Sequence, residues 1–208
     1  TVAGIISRPY TFFMGTTGGG VWKTTDAGNS WNNVSDGQIT VGSIGAIAVA
    51  PSDENIVYVG TGSADPRGNI SIGNGMYKST DMGETWQHIG LPKAGLIGKV
   101  AIHPKNADIV YVAALGNIFA PNAERGIYKT TDGGKSWKKI HHVSDKTGAR
   151  DVEINPDNDN ELVAGFWTVQ RKPWTLVDGS DEGGVFMSKD GGVTLSLIHI
   201  SEPTRLQD

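Results

Sequence analysis

The stretch GIYKTTDGGKSW (126–137) recurs with few changes as GVWKTTDAGNSW (20–31), GMYKSTDMGETW (75–86) and GVFMSKDGGVTL (184–195). The shared pattern is G-Φ-aromatic-x-[ST]-x-D-x-G-x-[ST]-W, where Φ is apolar, and only the fourth copy lacks the closing Trp. Copies follow one another at intervals of about fifty residues, a period typical of repeat architectures. We call these four segments the boxes.

A second motif alternates with the boxes and completes the repeat. It reads as a strand, a turn rich in Pro, Asn and Asp, and another strand. Its copies are IAVAPSDENIVYVG (47–60), VAIHPKNADIVYVA (100–113), VEINPDNDNELVAG (152–165) and the degenerate GIISRPYTFFMG (4–15). With the two strands that flank each D-x-G turn, every repeat supplies four short antiparallel strands, which is the content of a propeller blade.

The predicted fold is therefore all-β, a partial β-propeller of about three and a half four-stranded antiparallel blades. It occupies residues 1–194, and the blades span approximately 1–35, 43–91, 97–143 and 148–194. Closed propellers have about 4–8 blades, so we expect the remaining blades to belong to a longer chain.

The residues that recur in the boxes are explained by a role in folding. An Asp in D-x-G accepts backbone N–H groups as in an Asx turn, the Gly provides a positive φ, and the Trp packs back onto a blade. Identical residues in every blade cannot all converge on one axial site, so a catalytic or metal-binding role is disfavoured. The residues expected to be structural are Asp26, Gly28, Trp31, Asp81, Gly83, Trp86, Asp132, Gly134, Trp137, Asp190 and Gly192.

In these positions the sequence resembles the Asp-box, or bacterial-neuraminidase, repeat. That repeat occurs in sialidases, xyloglucanase-type glycoside hydrolases and sortilin-type receptors. The segments around VYVG (57–60) and MYKSTD (76–81) are most similar to bacterial sortilin-like or glycosyl-hydrolase-like propellers. The resemblance implies a secreted or periplasmic location and a glycan, peptide or protein ligand.

Loop length varies almost entirely between the second and third strands of each repeat. The long loops are 63–74, 115–125 and 166–183, and in a blade they lie at the end opposite the D-x-G turn. Insertions in repeat proteins often mark the binding face. Exposed Trp and Arg beside amides suit a sugar or a peptide. The candidate ligand-binding residues are Arg67, Asn69, Glu124, Arg125, Trp167, Arg171 and Trp174. In the alternative interpretation, Trp167 and Phe119 only close the apolar underside of these loops.

Composition excludes several classes of function. Net charge is −4 and no cluster of Lys and Arg occurs, so we expect no nucleic-acid partner. Cysteine is absent, the five histidines lack metal-ligand spacing, and no phosphate-binding loop is found, so no metal and no cofactor are predicted. The longest apolar runs are far shorter than the roughly 20 residues of a membrane span.

Two functions remain open at this point. The favoured one is a non-catalytic, sortilin-like binding propeller, because no catalytic constellation can be defined. The alternative is a xyloglucanase-like glycoside hydrolase, which needs two carboxyls about 5–5.5 Å or 6.5–9.5 Å apart. Candidate acids are Asp36, Asp65, Glu124, Asp145, Asp151, Asp178, Asp181 and Glu182. A sialidase is disfavoured, because Ser7-Arg8-Pro9 lacks the Phe and Ile of its F-R-I-P motif.

The C-terminal segment departs from the repeat. Where the fourth box requires Trp, the chain continues as LSLIHISEPTR (195–205), which resembles the translation of a transposon sequencing adapter. We therefore expect residues 195–208 not to be native and set them apart from the fold. The chain also opens inside a repeat, at Thr1, so we expect it to be a fragment.

Overall fold

The computed structural model describes residues 1–65 and 70–198, which form four antiparallel sheets and no helix. The first sheet contains β1 (Val2–Ile5), β2 (Arg8–Gly15), β3 (Val21–Thr24) and β4 (Asn32–Asn33). The second contains β5 (Ile44–Ala50), β6 (Asp53–Thr61), β7 (Met76–Ser79) and β8 (Gln87–Gly90). The third contains β9 (Ile97–Ile102), β10 (Val110–Ala114), β11 (Gly126–Thr130) and β12 (Lys138–His141). The fourth contains β13 (Thr147–Ile154), β14 (Leu162–Lys172), β15 (Thr175–Asp178), β16 (Gly184–Ser188) and β17 (Ser196–Leu197).

Each sheet is one blade of a partial β-propeller, and the predicted fold class is confirmed. In the first three blades the strands pair in chain order, and in the fourth the order is β13-β14-β16-β17 with β15 on the far part of β14. The outer strand of the fourth blade consists of Ser196 and Leu197, which pair with Met187 and Phe186. These two residues belong to the segment that the sequence analysis set apart, so the fourth blade has one more strand than expected.

The blades pack face to face around their first strands. Strands β1, β5, β9 and β13 are neighbours of one another, so they form the inner wall. One apolar cluster lies between each pair of blades, because alternate residues of a strand point to opposite faces. Val57 and Val59 face the first blade, whereas Tyr58 faces the third. The second strand of the second blade, β6, is therefore buried on both faces.

The box of the second blade shows the hydrogen bonds that shape all four turns. Asp81 Oδ1 accepts from the hydroxyl of Ser79 at 2.7 Å and from the backbone N–H of Thr85 at 2.8 Å. Asp81 Oδ2 accepts from the Thr85 hydroxyl, and Gly83 N–H donates to Ser79 Oγ at 2.7 Å. Gly83 has φ 84°, a conformation that favours glycine. These bonds, above all the one from the Thr85 side chain, lower the pKa of Asp81 to about 2.

The boxes of the second, third and fourth blades also contact the blade before them. The indole N–H of Trp86 donates to the carbonyl of Val34 at 2.9 Å, and that of Trp137 donates to Ile89 at 2.7 Å. A Cβ on Gly83 would lie 2.7 Å from the ring of Phe13, so the glycine also permits close packing. In the fourth blade, Leu195 takes the Trp position and packs against the cluster between the third and fourth blades.

The antiparallel order separates two ends of the molecule. The boxes connect third and fourth strands, so they share one end, the box end, with the turns between first and second strands. The connections between second and third strands lie at the opposite end, which we call the loop end. This is the arrangement that the spacing of the motifs predicts.

Candidate functional site

The long loops share one apolar underside at the loop end. Buried Ala64, Leu96, Leu115, Ile118 and Val169 come from the second, third and fourth blades and form one cluster. Ile70, Trp167 and Leu176 pack against it and are partly buried. The loops are therefore held as one surface across three blades.

Arg125, predicted to contact a ligand, is instead a structural residue in this surface. Its side chain is fully buried. The guanidinium donates to the carbonyls of Lys146 at 2.7 Å, Val169 at 3.0 Å and Asn117 at 3.1 Å. Burial lowers the pKa of Arg125 to about 10, which still leaves it charged at neutral pH. The ligand-binding assignment of Arg125 is wrong, because a group with no exposed surface cannot reach a ligand.

Glu124 and Trp167 are also used within the protein. The hydroxyl of Tyr128 donates to Glu124 Oε2 at 2.9 Å, so this carboxylate forms a hydrogen bond within the third blade. Trp167 packs on the cluster beneath the loops, as the alternative interpretation of that residue proposed. Phe119 does not close the underside, because it is 48% exposed.

A β-hairpin of the fourth blade extends beyond the sheet. The last residues of β14 leave the blade and pair with β15, and Pro173 and Trp174 form the turn between them. Trp174 is 80% exposed. The backbone N–H of Arg171 donates to the carbonyl of Ile118 at 2.8 Å, which fixes the hairpin to the loop of the third blade. Of the predicted site residues that the structure describes, Trp174 and Arg171 lie in this hairpin.

Two further predicted residues, Arg67 and Asn69, lie outside the described residues. The same loop contributes Asp65, whose carboxylate lies 2.6 Å from Arg150 of the fourth blade. Sequence reasoning did not select Arg150, because it belongs to a first strand and not to a long loop.

This ion pair lines a polar cavity of about 350 Å³, which lies along the inner strands toward the loop end. All four blades contribute to its lining, which includes Thr17, Ser63, Asp65, Lys99, Arg150 and Asp151. The cavity holds two acidic and two basic side chains, so it can bind polar groups of either sign.

A chain of hydroxyl groups lies beside the base of the hairpin. Glu182 Oε2 accepts from Ser144 at 2.5 Å and from Thr147 at 2.8 Å. Thr147 and Thr168 share a hydrogen bond of 2.5 Å, and Thr168 and Ser180 share one of 2.6 Å. The bonds from Ser144 and Thr147 lower the pKa of Glu182, so this carboxyl is ionised at neutral pH.

Neither a metal centre nor a membrane span is found in the part of the chain that the structure describes. Within residues 1–65 and 70–198, no three His, Asp or Glu side chains are placed to hold a metal ion. The same residues include no helix of the length and apolarity needed to cross a bilayer.

The fold defines a class of protein: a partial β-propeller with recurring turns at one end and long loops at the other. The model of the Sortilin-Vps10 family, described as sortilin, neurotensin receptor 3, matches residues 19–164. Since this match covers more than half of the chain, the protein belongs to the Sortilin-Vps10 family.

Curated relatives are xyloglucanases. The chain is 30% identical to the xyloglucanase of Hypocrea jecorina, over 94% of this chain and 24% of the relative. It is 29% identical to xyloglucanase Xgh74A of Acetivibrio thermocellus, over 74% of this chain and 19% of the relative. The chain thus spans about a quarter or less of the relatives it matches.

Solved structures show the same fold. An ancestral GH74 enzyme superimposes with a TM-score of 0.73 at 21% identity, over 95% of this chain and 25% of that one. At this identity the likeness concerns the fold alone.

Proposed function

We propose that the chain is part of a non-catalytic binding propeller, which holds a glycan, peptide or protein ligand on its loop end. The observation that carries this proposal is the exposure of Trp174 on an anchored hairpin. A tryptophan that is 80% exposed at the tip of a ribbon contributes little to the fold, but it offers a large flat surface to a ligand.

The state of the carboxyls at the loop end supports binding over hydrolysis. A glycoside hydrolase needs one carboxyl with a raised pKa as general acid. Here the carboxylate of Glu182 accepts two hydroxyl hydrogen bonds that lower its pKa, and Asp65 forms an ion pair with Arg150. The Glu182 carboxyl is thus held as an anion, and the Asp65 carboxylate is occupied by Arg150.

The names of the curated relatives favour a glycan among the possible ligands. Tryptophan faces stack well on the apolar faces of sugars, and the polar cavity beside Arg150 could receive their hydroxyl groups. We further propose that the protein works outside the cytoplasm, where such polymers occur.

The test is a titration of the chain with a xyloglucan oligosaccharide, in which binding is measured through the tryptophan fluorescence of the protein. We expect binding that Trp174→Ala weakens by about tenfold or more. The matched control is Tyr10→Ala, since Tyr10 is 65% exposed and lies at the box end. If both variants bind as the unchanged chain does, the loop end is not the binding surface.

The alternative, a xyloglucanase-type glycoside hydrolase, is favoured by one observation: the alignment with the Hypocrea jecorina enzyme covers 94% of this chain. Its test is the release of reducing ends from xyloglucan. Turnover that Asp65→Asn or Asp151→Asn abolishes would establish hydrolysis, whereas binding without release would exclude it for this chain.

A further inference from the structure

The tip of the β14–β15 hairpin combines one exposed aromatic ring with two cations. The sequence there is Gln170-Arg171-Lys172-Pro173-Trp174-Thr175. Among the described residues, no carboxylate forms an ion pair with Arg171 or Lys172. The nearest acids along the loop, Asp178, Asp181 and Glu182, lie at the base of the hairpin and after it.

The base of the hairpin is firmly held. Val169 is buried in the apolar cluster, and its carbonyl accepts a hydrogen bond from Arg125 at 3.0 Å. Two residues later, Arg171 N–H bonds to the loop of the third blade. An anchored tip loses little conformational entropy when it binds a ligand, so its contacts translate more fully into affinity.

The register places the two cations on opposite faces of the ribbon. Arg171 pairs with Leu176, whose side chain packs on the cluster, so Arg171 shares that inner face. Lys172 pairs with Thr175 on the other face, next to the exposed Val177. Trp174 lies in the turn that joins the two strands, so both cations are within three residues of its ring.

From this arrangement we infer that the hairpin tip, residues 170–175, binds a glycan that carries carboxylate groups. The inference rests on the proposed function and specifies its ligand class. The indole ring stacks on a sugar face, and the Arg fork and Lys ammonium bind uronate carboxylates. A neutral glycan would leave both cations without a charged partner.

Two other partners fit the tip less well. An anionic membrane fits less well, because Trp174 and Val177 offer only a small apolar surface for insertion. An acidic peptide would satisfy the cations but would present no flat apolar face to the indole ring.

The experiment is calorimetric titration of the full chain with a galacturonate oligosaccharide and, separately, with a xyloglucan oligosaccharide. We expect the galacturonate chain to bind about tenfold more tightly, and its affinity to fall as salt is raised. The double variant R171Q/K172Q should lose this advantage, so that the two oligosaccharides bind to it with similar affinity. Lys135→Gln, an exposed lysine at the box end, is the control for charge removal.

Equal or tighter binding of xyloglucan would overturn the inference and leave the proposed binding function intact. Equal binding of a hexaglutamate peptide would assign the tip to acidic chains in general. Binding of phosphatidylglycerol vesicles that Trp174→Ala abolishes would assign it to a membrane. Loss of all glycan binding in the unchanged chain would contradict both this inference and a glycan as the ligand of the proposed function.

Discussion

Trp86 and Trp174 lie at opposite ends of the blades and are used in opposite ways. Trp86 is 9% exposed, and its indole N–H bonds to the preceding blade. Trp174 is 80% exposed at the tip of a hairpin that has no counterpart among the described residues of the other blades. The box end repeats one set of contacts from blade to blade, whereas the loop end has different residues in each blade. The difference indicates that the box end maintains the fold and the loop end is free to acquire function.

The largest expected effect comes from truncating the box tryptophan. Trp86→Ala removes a buried ring and the hydrogen bond to Val34, and we expect it to lower the free energy of unfolding by roughly 3–5 kcal/mol. Guanidinium denaturation, followed by far-ultraviolet circular dichroism, measures the loss.

Trp174→Ala is the matched control at the loop end. Because this ring is exposed, its removal should change the free energy of unfolding by no more than about 0.5 kcal/mol. Similar losses for the two variants would mean that the ends do not differ as proposed.

The second largest effect is expected from Arg125→Leu, which tests whether the loop end also contains residues that stabilise the fold. Arg125→Leu leaves the carbonyls of Asn117, Lys146 and Val169 without their donor, and each unsatisfied carbonyl costs about 1–3 kcal/mol. We expect a net loss of about 3 kcal/mol in the free energy of unfolding, since the loops can partly relax.

Arg171→Leu provides the comparison for Arg125, because its guanidinium makes no ion pair among the described residues. It should change stability by no more than about 0.5 kcal/mol. If Arg125→Leu changes the free energy of unfolding as little as Arg171→Leu does, the buried guanidinium of Arg125 does not hold the loops together.

These residues also show how far the sequence could predict the structure. The D-x-G turns were predicted residue by residue, because an Asx turn depends on atoms within about six residues of one another. The burial of Arg125 was not predicted, since it depends on carbonyls of residues 117, 146 and 169, which the fold brings together.

One positional signal could have revealed it. Arg125 immediately precedes the glycine that begins the third strand, and Asn74 has the same place in the second blade. Asn74 also bonds within the protein, because its amide donates to the hydroxyls of Thr40 and Tyr77. The same position is Gly19 in the first blade and Gly183 in the fourth, so this signal is confined to the second and third blades.

The smallest expected effect is a difference between the two ends in how the free energy of unfolding depends on pH. His141, in the last strand of the third blade, packs against Phe166 and Phe186, and this burial lowers its pKa below 6.5. The neighbouring His142 acts in the same direction. In the unfolded chain His141 takes up a proton near pH 6.5, which the folded state resists, so stability should decrease as pH falls from 8 to 5.

His141→Phe should therefore flatten the dependence of unfolding free energy on pH between 8 and 5, as measured by denaturation at pH 5, 6.5 and 8. His88→Gln is the control, because His88 is exposed at the corresponding outer strand of the second blade. The box carboxylates take no part in this range: the pKa of Asp81 is about 2, so the stability it provides is complete above its ordinary value of 3.8 and is lost only as pH falls toward 2. An unchanged slope in His141→Phe would show that His141 is not the source of the pH dependence. A slope between pH 8 and 5 that Asp81→Asn removes would place the pH-sensitive contact at the box end and contradict this division.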